Sequence, residues 1–159
     1  MDLLASIAAC APDVHPKTML RLTRAESAQQ PLAIHVNGAR LQRQPRTLAE
    51  AVVTARWLRA QGYSFDAGAW QINVRNWPAL GLDERTVFDA CRNAAAAQAV
   101  LIDCFRRAPG RDPQTALRQA LSCYNAGNFR GGFSNDYVSR VVGAPVAAMP
   151  TVPSPQESP

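Results

Sequence analysis

A predominantly helical α+β domain with a small β lobe is the fold class that this sequence predicts, on three observations. Capped segments with a period near 3.6 recur along most of the chain. One Asn-Gly pair between apolar residues marks a hairpin. A length of 159 residues with 47% hydrophobic content suits one packed core rather than two.

Residues 2–9 read as a short apolar helix, and Pro12 and Pro16 punctuate the connection that follows. Pro16 suits the first turn of a second helix, where its missing N–H has no intrahelical partner to lose. In that helix Met19, Leu22, Thr23 and Glu26 fall at i, i+3, i+4 and i+7, so the carboxylate shares an apolar stripe and points inward. Pro31 ends the element. Asn37-Gly38 then sits inside residues 32–43 as a hairpin signal for the β element. Thr47 with Glu50 makes a capping box ahead of the stripe Leu48, Val52, Ala55 and Leu58, and Gly62 closes that helix. An irregular stretch covers residues 63–81. Asp89 caps a long helix to about Arg107 with the stripe Cys91, Ala95, Ile102 and Phe105. Asp112 and Pro113 open another, carrying Leu117, Ala120, Leu121 and Tyr124 and stopping at Asn125-Ala126-Gly127. Residues 136–142 form a last turn, and five prolines in residues 143–159 make that segment a disordered or extended tail.

The formal charge of +5 comes from 16 Arg and one Lys against 12 acids, spread along the chain rather than blocked. This is a solvated surface whose diffuse field suits an anionic partner without naming one. The Arg residues are not interleaved with aromatics and no nucleic-acid motif is present, so a nucleic-acid binder is not expected. No apolar run approaches the roughly 18 residues of a membrane span, and the run from Leu3 onward has no preceding Lys or Arg, so no signal peptide is visible.

Cys10, Cys91, Cys104 and Cys123 form an even set with no C-x-x-C pair and only two histidines in the chain, which favours disulfides over a zinc site. Cys91 and Cys104 share one predicted helix about 20 Å apart, too far to bridge. Two pairings survive: Cys10 with Cys91 plus Cys104 with Cys123, or Cys10 with Cys104 plus Cys91 with Cys123. Either implies an oxidising compartment. His15 and His35 read as surface or cap residues.

A carboxylic acid on an apolar stripe loses hydration, which raises its pKa toward the range of a general acid. Glu26 is therefore the candidate. Around it the chain reads Ala25-Glu26-Ser27, then Phe65-Asp66-Ala67-Gly68-Ala69-Trp70-Gln71-Ile72-Asn73, then Ala120-Leu121-Ser122-Cys123-Tyr124-Asn125-Ala126-Gly127-Asn128, then Tyr137-Val138. In this order and spacing these pieces resemble the Glu-Ser, Gly-Leu-Met-Gln-Ile, Ala-Tyr-Asn-Ala-Gly and Tyr-Val motifs of family 23 lytic transglycosylases. Val36-Asn37-Gly38, Phe88-Asp89 and Gly131-Gly132-Phe133 look most similar to the VirB1-type enzymes that open the cell wall for type IV secretion systems. The resemblance covers residues 1–142, with Ala69-Trp70 where the family carries an aliphatic pair such as Leu-Met.

The resemblance implies a lysozyme-like fold and cleavage of the bond between N-acetylmuramic acid and N-acetylglucosamine. The muramoyl 6-hydroxyl would attack its own anomeric carbon to leave a 1,6-anhydro end. One carboxyl then suffices: Glu26 protonates the departing oxygen and afterwards takes the 6-hydroxyl proton, while the 2-acetamido group stabilises the oxocarbenium-like centre, unlike the two-carboxylate scheme. No metal or cofactor is implied. Ser27, Gln71, Asn73, Tyr124, Asn125 and Tyr137 match motif positions expected near the acid and the sugar, and Trp70 has a plane suited to stacking on a pyranose. Asp66 is either a turn residue before Gly68, the reading we favour, or a second carboxylate that would bring in water. Trp57 and Trp77 read as packing residues. The implied location is periplasmic and the implied partners are peptidoglycan strands and, through the tail, secretion-system components. A lysozyme-type hydrolase and a weakly active assembly module are the alternatives.

Overall fold

The computed structural model describes residues 2–143, and the proline-rich segment expected to form a tail lies, beyond Gly143, outside the described residues. Eight helices and three short strands follow in the order α1 (Leu3–Cys10), α2 (Pro16–Ser27), β1 (Ile34–Val36), α3 (Leu48–Ala60), β2 (Phe65–Ala67), β3 (Ile72–Asn73), α4 (Trp77–Leu80), α5 (Ala90–Arg107), α6 (Pro113–Ala126), α7 (Gly131–Ser134) and α8 (Tyr137–Gly143). The expected α+β class, mostly helical with a small β lobe, is what the chain forms.

Helix starts follow their side-chain chemistry. Asp2, Thr47, Asp89 and Asp112 each accept a backbone N–H of the first turn, and His15 Nδ1 does so ahead of Pro16. The carboxylate of Glu50 reaches back to the N–H of Arg46, one residue before the Thr47 cap. α2 ends at Ser27, earlier than Pro31, because Ala28 and Gln29 both turn into the left-handed region at φ 53° and 65°. Pro31 follows the stop rather than causing it.

The expected hairpin is corrected. Asn37-Gly38 does turn the chain, with Gly38 at φ 76°, but the partner of β1 arrives only after α3. β1 pairs antiparallel with β2 in the register Ile34 to Ala67, and β2 pairs with β3, giving the sheet order β1-β2-β3. On the free edge of β1 the carboxamide of Gln44 stands in for a strand. Its Oε1 accepts the Ile34 N–H at 2.8 Å, and its Nε2 donates to the Ile34 carbonyl at 2.8 Å. A side chain thus seals the edge that a hairpin return would have covered.

Two apolar stripes also differ from expectation. In α3, Val52, Ala55 and Leu58 are buried, but Leu48 is exposed, and Trp57 lies on the outside, stacked on Tyr63 at 5.9 Å between ring centres. In α5 the buried face is Asn93, Ala94, Ala96, Ala97, Leu101 and Cys104, whereas Ala95 and Phe105 face solvent. Small side chains let α5 run through the centre against α1 and α6, so close backbone approach, not side-chain bulk, set its face. Trp77 packs as expected, wholly buried and edge-on to Phe65.

Of the two open pairings the chain adopts Cys10–Cys91, tying α1 to α5, and Cys104–Cys123, tying α5 to α6, with Cα separations of 5.4 Å and 5.8 Å. They close 81 and 19 residues. On the chain-entropy view, losing them costs about 4 and about 3 kcal/mol respectively. Alkylation of the native protein is expected to modify no cysteine until a reductant is added. Urea unfolding of Cys10→Ala is expected to show the larger loss than Cys123→Ala.

Candidate functional site

A groove of about 620 Å³ runs between the sheet and the ends of α5 and α6, and Glu26 lies on it. The acid arrives there on the last turn of α2, whose Met19, Leu22 and Thr23 are all fully buried, so the stripe read in the sequence carries it inward. Burial raises its pKa to about 8, helped by the charge of Asp66 and opposed by the Tyr137 hydrogen bond and by Arg140. The Tyr137 hydroxyl donates to Glu26 Oε1 at 2.5 Å. An acid so placed keeps its proton at neutral pH and faces open space where a substrate oxygen can sit.

The loop before β3 is built around α2 by buried polar side chains. The carbonyl of Ala69 accepts from Thr23 Oγ1 at 2.6 Å and from Ser27 Oγ at 2.7 Å. Trp70 N donates to Asn93 Oδ1 at 2.8 Å, and the Trp70 indole donates to the carbonyl of Met19 at 3.0 Å. Tyr124 OH donates to the carbonyl of Trp70 at 2.6 Å. Gln71, at φ 55°, turns its amide nitrogen onto the carbonyls of Ala33 and Gly68, and its Oε1 lies 2.6 Å from His35 Nδ1. Burial raises the pKa of both Tyr124 and Tyr137 further, as does the nearby Glu26, so both stay neutral donors. Among the described residues no group of three or more His, Cys, Asp and Glu is arranged to hold a metal.

A model of the transglycosylase SLT domain matches residues 4–141, which include every residue of this site. The chain belongs to the transglycosylase SLT domain family. The chain is 44% identical over 158 residues to the type IV secretion system protein virB1 of Brucella suis biovar 1, covering 90% of this chain and 66% of that one. It is 46% identical over 156 residues to the protein of the same name in Brucella abortus biovar 1, covering 92% and 65%. It is 40% identical over 151 residues to protein virB1 of Agrobacterium tumefaciens strain 15955, covering 93% and 62%. The chain thus spans just under two thirds of the length of these relatives. No solved structure matches it.

The SLT domain brings the expected site residues together but divides their positions. Glu26, Gln71, Asn73, Tyr124 and Asn125 line the groove. Ser27 sits behind it with its hydroxyl committed to Ala69, and Tyr137 reaches in from α8 to touch Glu26. Trp70 is corrected: it is wholly buried against α2, so neither ring face is open to a sugar. Asp66 is also corrected. It is a central strand residue of β2 on the groove, not a turn residue before Gly68. His35, expected to be a surface or cap residue, is exposed and in addition meets the side-chain amide of Gln71.

Sequence reading missed Asn93, and it placed Thr23 on the inward stripe without foreseeing its bond to the Ala69 carbonyl. Asn93 is 1% exposed within α5 and joins three backbone groups: Trp70 N, the Ala67 carbonyl at 3.1 Å and the Val87 carbonyl at 2.7 Å. An asparagine amid the alanines of a long helix was the available signal, since a buried amide must find partners. Crowding at that junction also dictates Gly68. At its φ of 89° a Cβ would stand 2.2 Å from Asn93 Nδ2 and 2.7 Å from the Val87 carbonyl.

Proposed function

We propose that this SLT domain is a peptidoglycan lytic transglycosylase acting in the periplasm beside a type IV secretion system. It cleaves the β-1,4 bond between N-acetylmuramic acid and N-acetylglucosamine, leaving 1,6-anhydro ends. The observation that carries the reading is Glu26, a desolvated carboxyl on the groove, raised to about 8 and bonded by Tyr137.

Glu26 gives its proton to the glycosidic oxygen as the bond to the anomeric carbon breaks. The carboxylate left behind accepts the proton of the muramoyl 6-hydroxyl as that oxygen bonds to the same carbon, which restores the acid. Tyr137 OH supports the anionic form between the two steps, since it donates to the carboxylate. Asn125, exposed at the end of α6, accepts from Asn135 Nδ2 at 2.9 Å through its Oδ1 and keeps its own N–H groups for sugar, whereas Gln71 and Tyr124 act mainly by holding the loop on which the groove depends. Two disulfides suit an oxidising compartment. The names of the relatives support the secretion-system setting. No helix among the described residues is long and apolar enough to cross a membrane. Residues 1–142 would be the catalytic domain and the segment after it the part that docks to the secretion machinery.

The test is incubation of the purified chain with peptidoglycan, followed by mass spectrometry of released muropeptides. Ends lighter by one water than reducing ends are expected. Reducing ends alone would make it a lysozyme-type hydrolase, and no release beside an active control would leave an assembly module.

A further inference from the structure

Two arginines line the groove, and the fold treats them differently. Arg107, on the last turn of α5, is already paired: its Nε donates to Asp103 Oδ2 at 3.0 Å, and its guanidinium lies 5.9 Å from the centre of the Phe129 ring. Arg75 is exposed, and among the described residues its guanidinium makes no ion pair and no hydrogen bond. Its backbone, by contrast, is fixed. Arg75 is the middle residue of a single 3-10 turn, Val74–Asn76, between β3 and α4. Its N–H donates to Asn73 Oδ1 at 3.0 Å, and Trp77, which follows the turn, is wholly buried with its indole on the Ile72 carbonyl at 3.1 Å. A cation is thus presented to the groove from a rigid base with its five donors unused.

We propose that Arg75 binds a carboxylate carried by the muramoyl residues of the glycan, so that strands bearing one are held more tightly. The inference rests on the glycan-cleaving reading above. The sugar rings of such a strand are uncharged. Its carboxylates sit on the muramoyl lactyl arm where that arm is free, or on the peptide where one is joined to it. A planar guanidinium matches a carboxylate with two parallel N–H bonds, whereas a sugar hydroxyl calls for no full charge. The rest of the groove leaves that role to Arg75. Glu26 keeps its proton at neutral pH, and the charges of Arg107 and Asp103 offset each other. Asp66 lies near enough to Arg75 for that charge to help hold its pKa down, but no ion pair joins the two.

If Arg75 served Asp66 alone, its loss would weaken every substrate alike, so the choice of substrate is the readout. Three soluble strand preparations separate the cases: strands that keep their peptides, strands stripped by an amidase to leave free lactyl carboxylates, and stripped strands whose lactyl groups are converted to methylamides. Arg75→Gln is expected to raise KM about 10-fold on a carboxylate-bearing strand with kcat little changed, in keeping with the loss of one charge-assisted pair. On the methylamide strand it should match the native chain. Arg75→Lys, which keeps the charge but not the planar fork, should recover part of the lost affinity. Loss on the peptide-bearing strand places the bound carboxylate on the peptide, and loss on the free-lactyl strand places it on the lactyl arm. Because Arg75 is exposed and unpaired, both variants should melt with the native chain. Kinetics equal to native on all three strands would overturn the proposal. So would an equal loss on all three, which would make Arg75 a support for Asp66. An inert native chain would instead overturn the function on which the inference rests.

Discussion

Glu26→Gln is expected to abolish glycan cleavage and, in the same molecule, to raise stability at pH 8. The first effect follows because the amide keeps the shape and the Tyr137 contact but has no proton to give. The second follows from linkage. An unfolded glutamic acid ionises near 4.5, whereas the folded one holds its proton to about 8. Below pH 4.5 both states are protonated and the burial of Glu26 carries no ionisation penalty. Between these values the unfolded chain releases a proton that the folded chain retains, so folding stability falls by about 1.4 kcal/mol per pH unit, to a total of about 5 kcal/mol at pH 8. Glutamine removes that loss. Melting curves should therefore show the variant higher by on the order of 10 °C at pH 8, with the gap closing at pH 4. Equal melting at pH 8 would mean that Glu26 is not desolvated, and cleavage retained by the variant would remove it from the mechanism. Native activity should likewise decline as pH rises through about 8, where the general acid is lost.

Asn93→Ala is expected to cost about 4–6 kcal/mol, a large share of what holds a domain of this size together. The alanine leaves one buried N–H and two buried carbonyls without partners, each worth roughly 1–3 kcal/mol when orphaned. All three lie on or next to the loop that carries Ala69, Trp70 and Gln71, so what remains folded should also lose the placement of that loop against α2. Urea unfolding measures the stability, and muropeptide release measures the site. A loss below about 1 kcal/mol would show that the loop holds its shape without the amide. Asn93→Asp should rescue little, because a carboxylate still accepts from Trp70 N but cannot donate to the carbonyls of Ala67 and Val87.

How far the site could be read in advance depended on the range of the interaction involved. The inward turn of Glu26 was legible because its stripe needs only the period of one helix, and Met19, Leu22 and Thr23 lie within two turns of it. The helix starts at Thr47, Asp89 and Asp112 were legible for the same reason, since a cap is satisfied within three residues. Trp70 misled because an aromatic in that motif suits a platform and a core equally well; only the carbonyl of Met19, 51 residues away, decides which.

The fate of Asn37-Gly38 shows the same divide. The turn itself is local, but the strand that pairs with β1 lies beyond a whole helix, and the amide of Gln44 competes for the edge. By itself, then, the sequence determined the class of the fold, the boundaries of the longer helices to within a few residues, the inward-facing Glu26 and the motifs that place this chain in the SLT family, but not the short α4 and α7 or the strands within residues 63–81. Tertiary structure alone decided the disulfide pairing, the order of the sheet, the interior placement of Trp70, the role of Asn93 and the meeting of Asp66 with Glu26 across one groove. Caps and stripes are satisfied within a helix, whereas a buried polar group takes whatever partner the packed chain brings to it, and that partner can come from anywhere along the sequence.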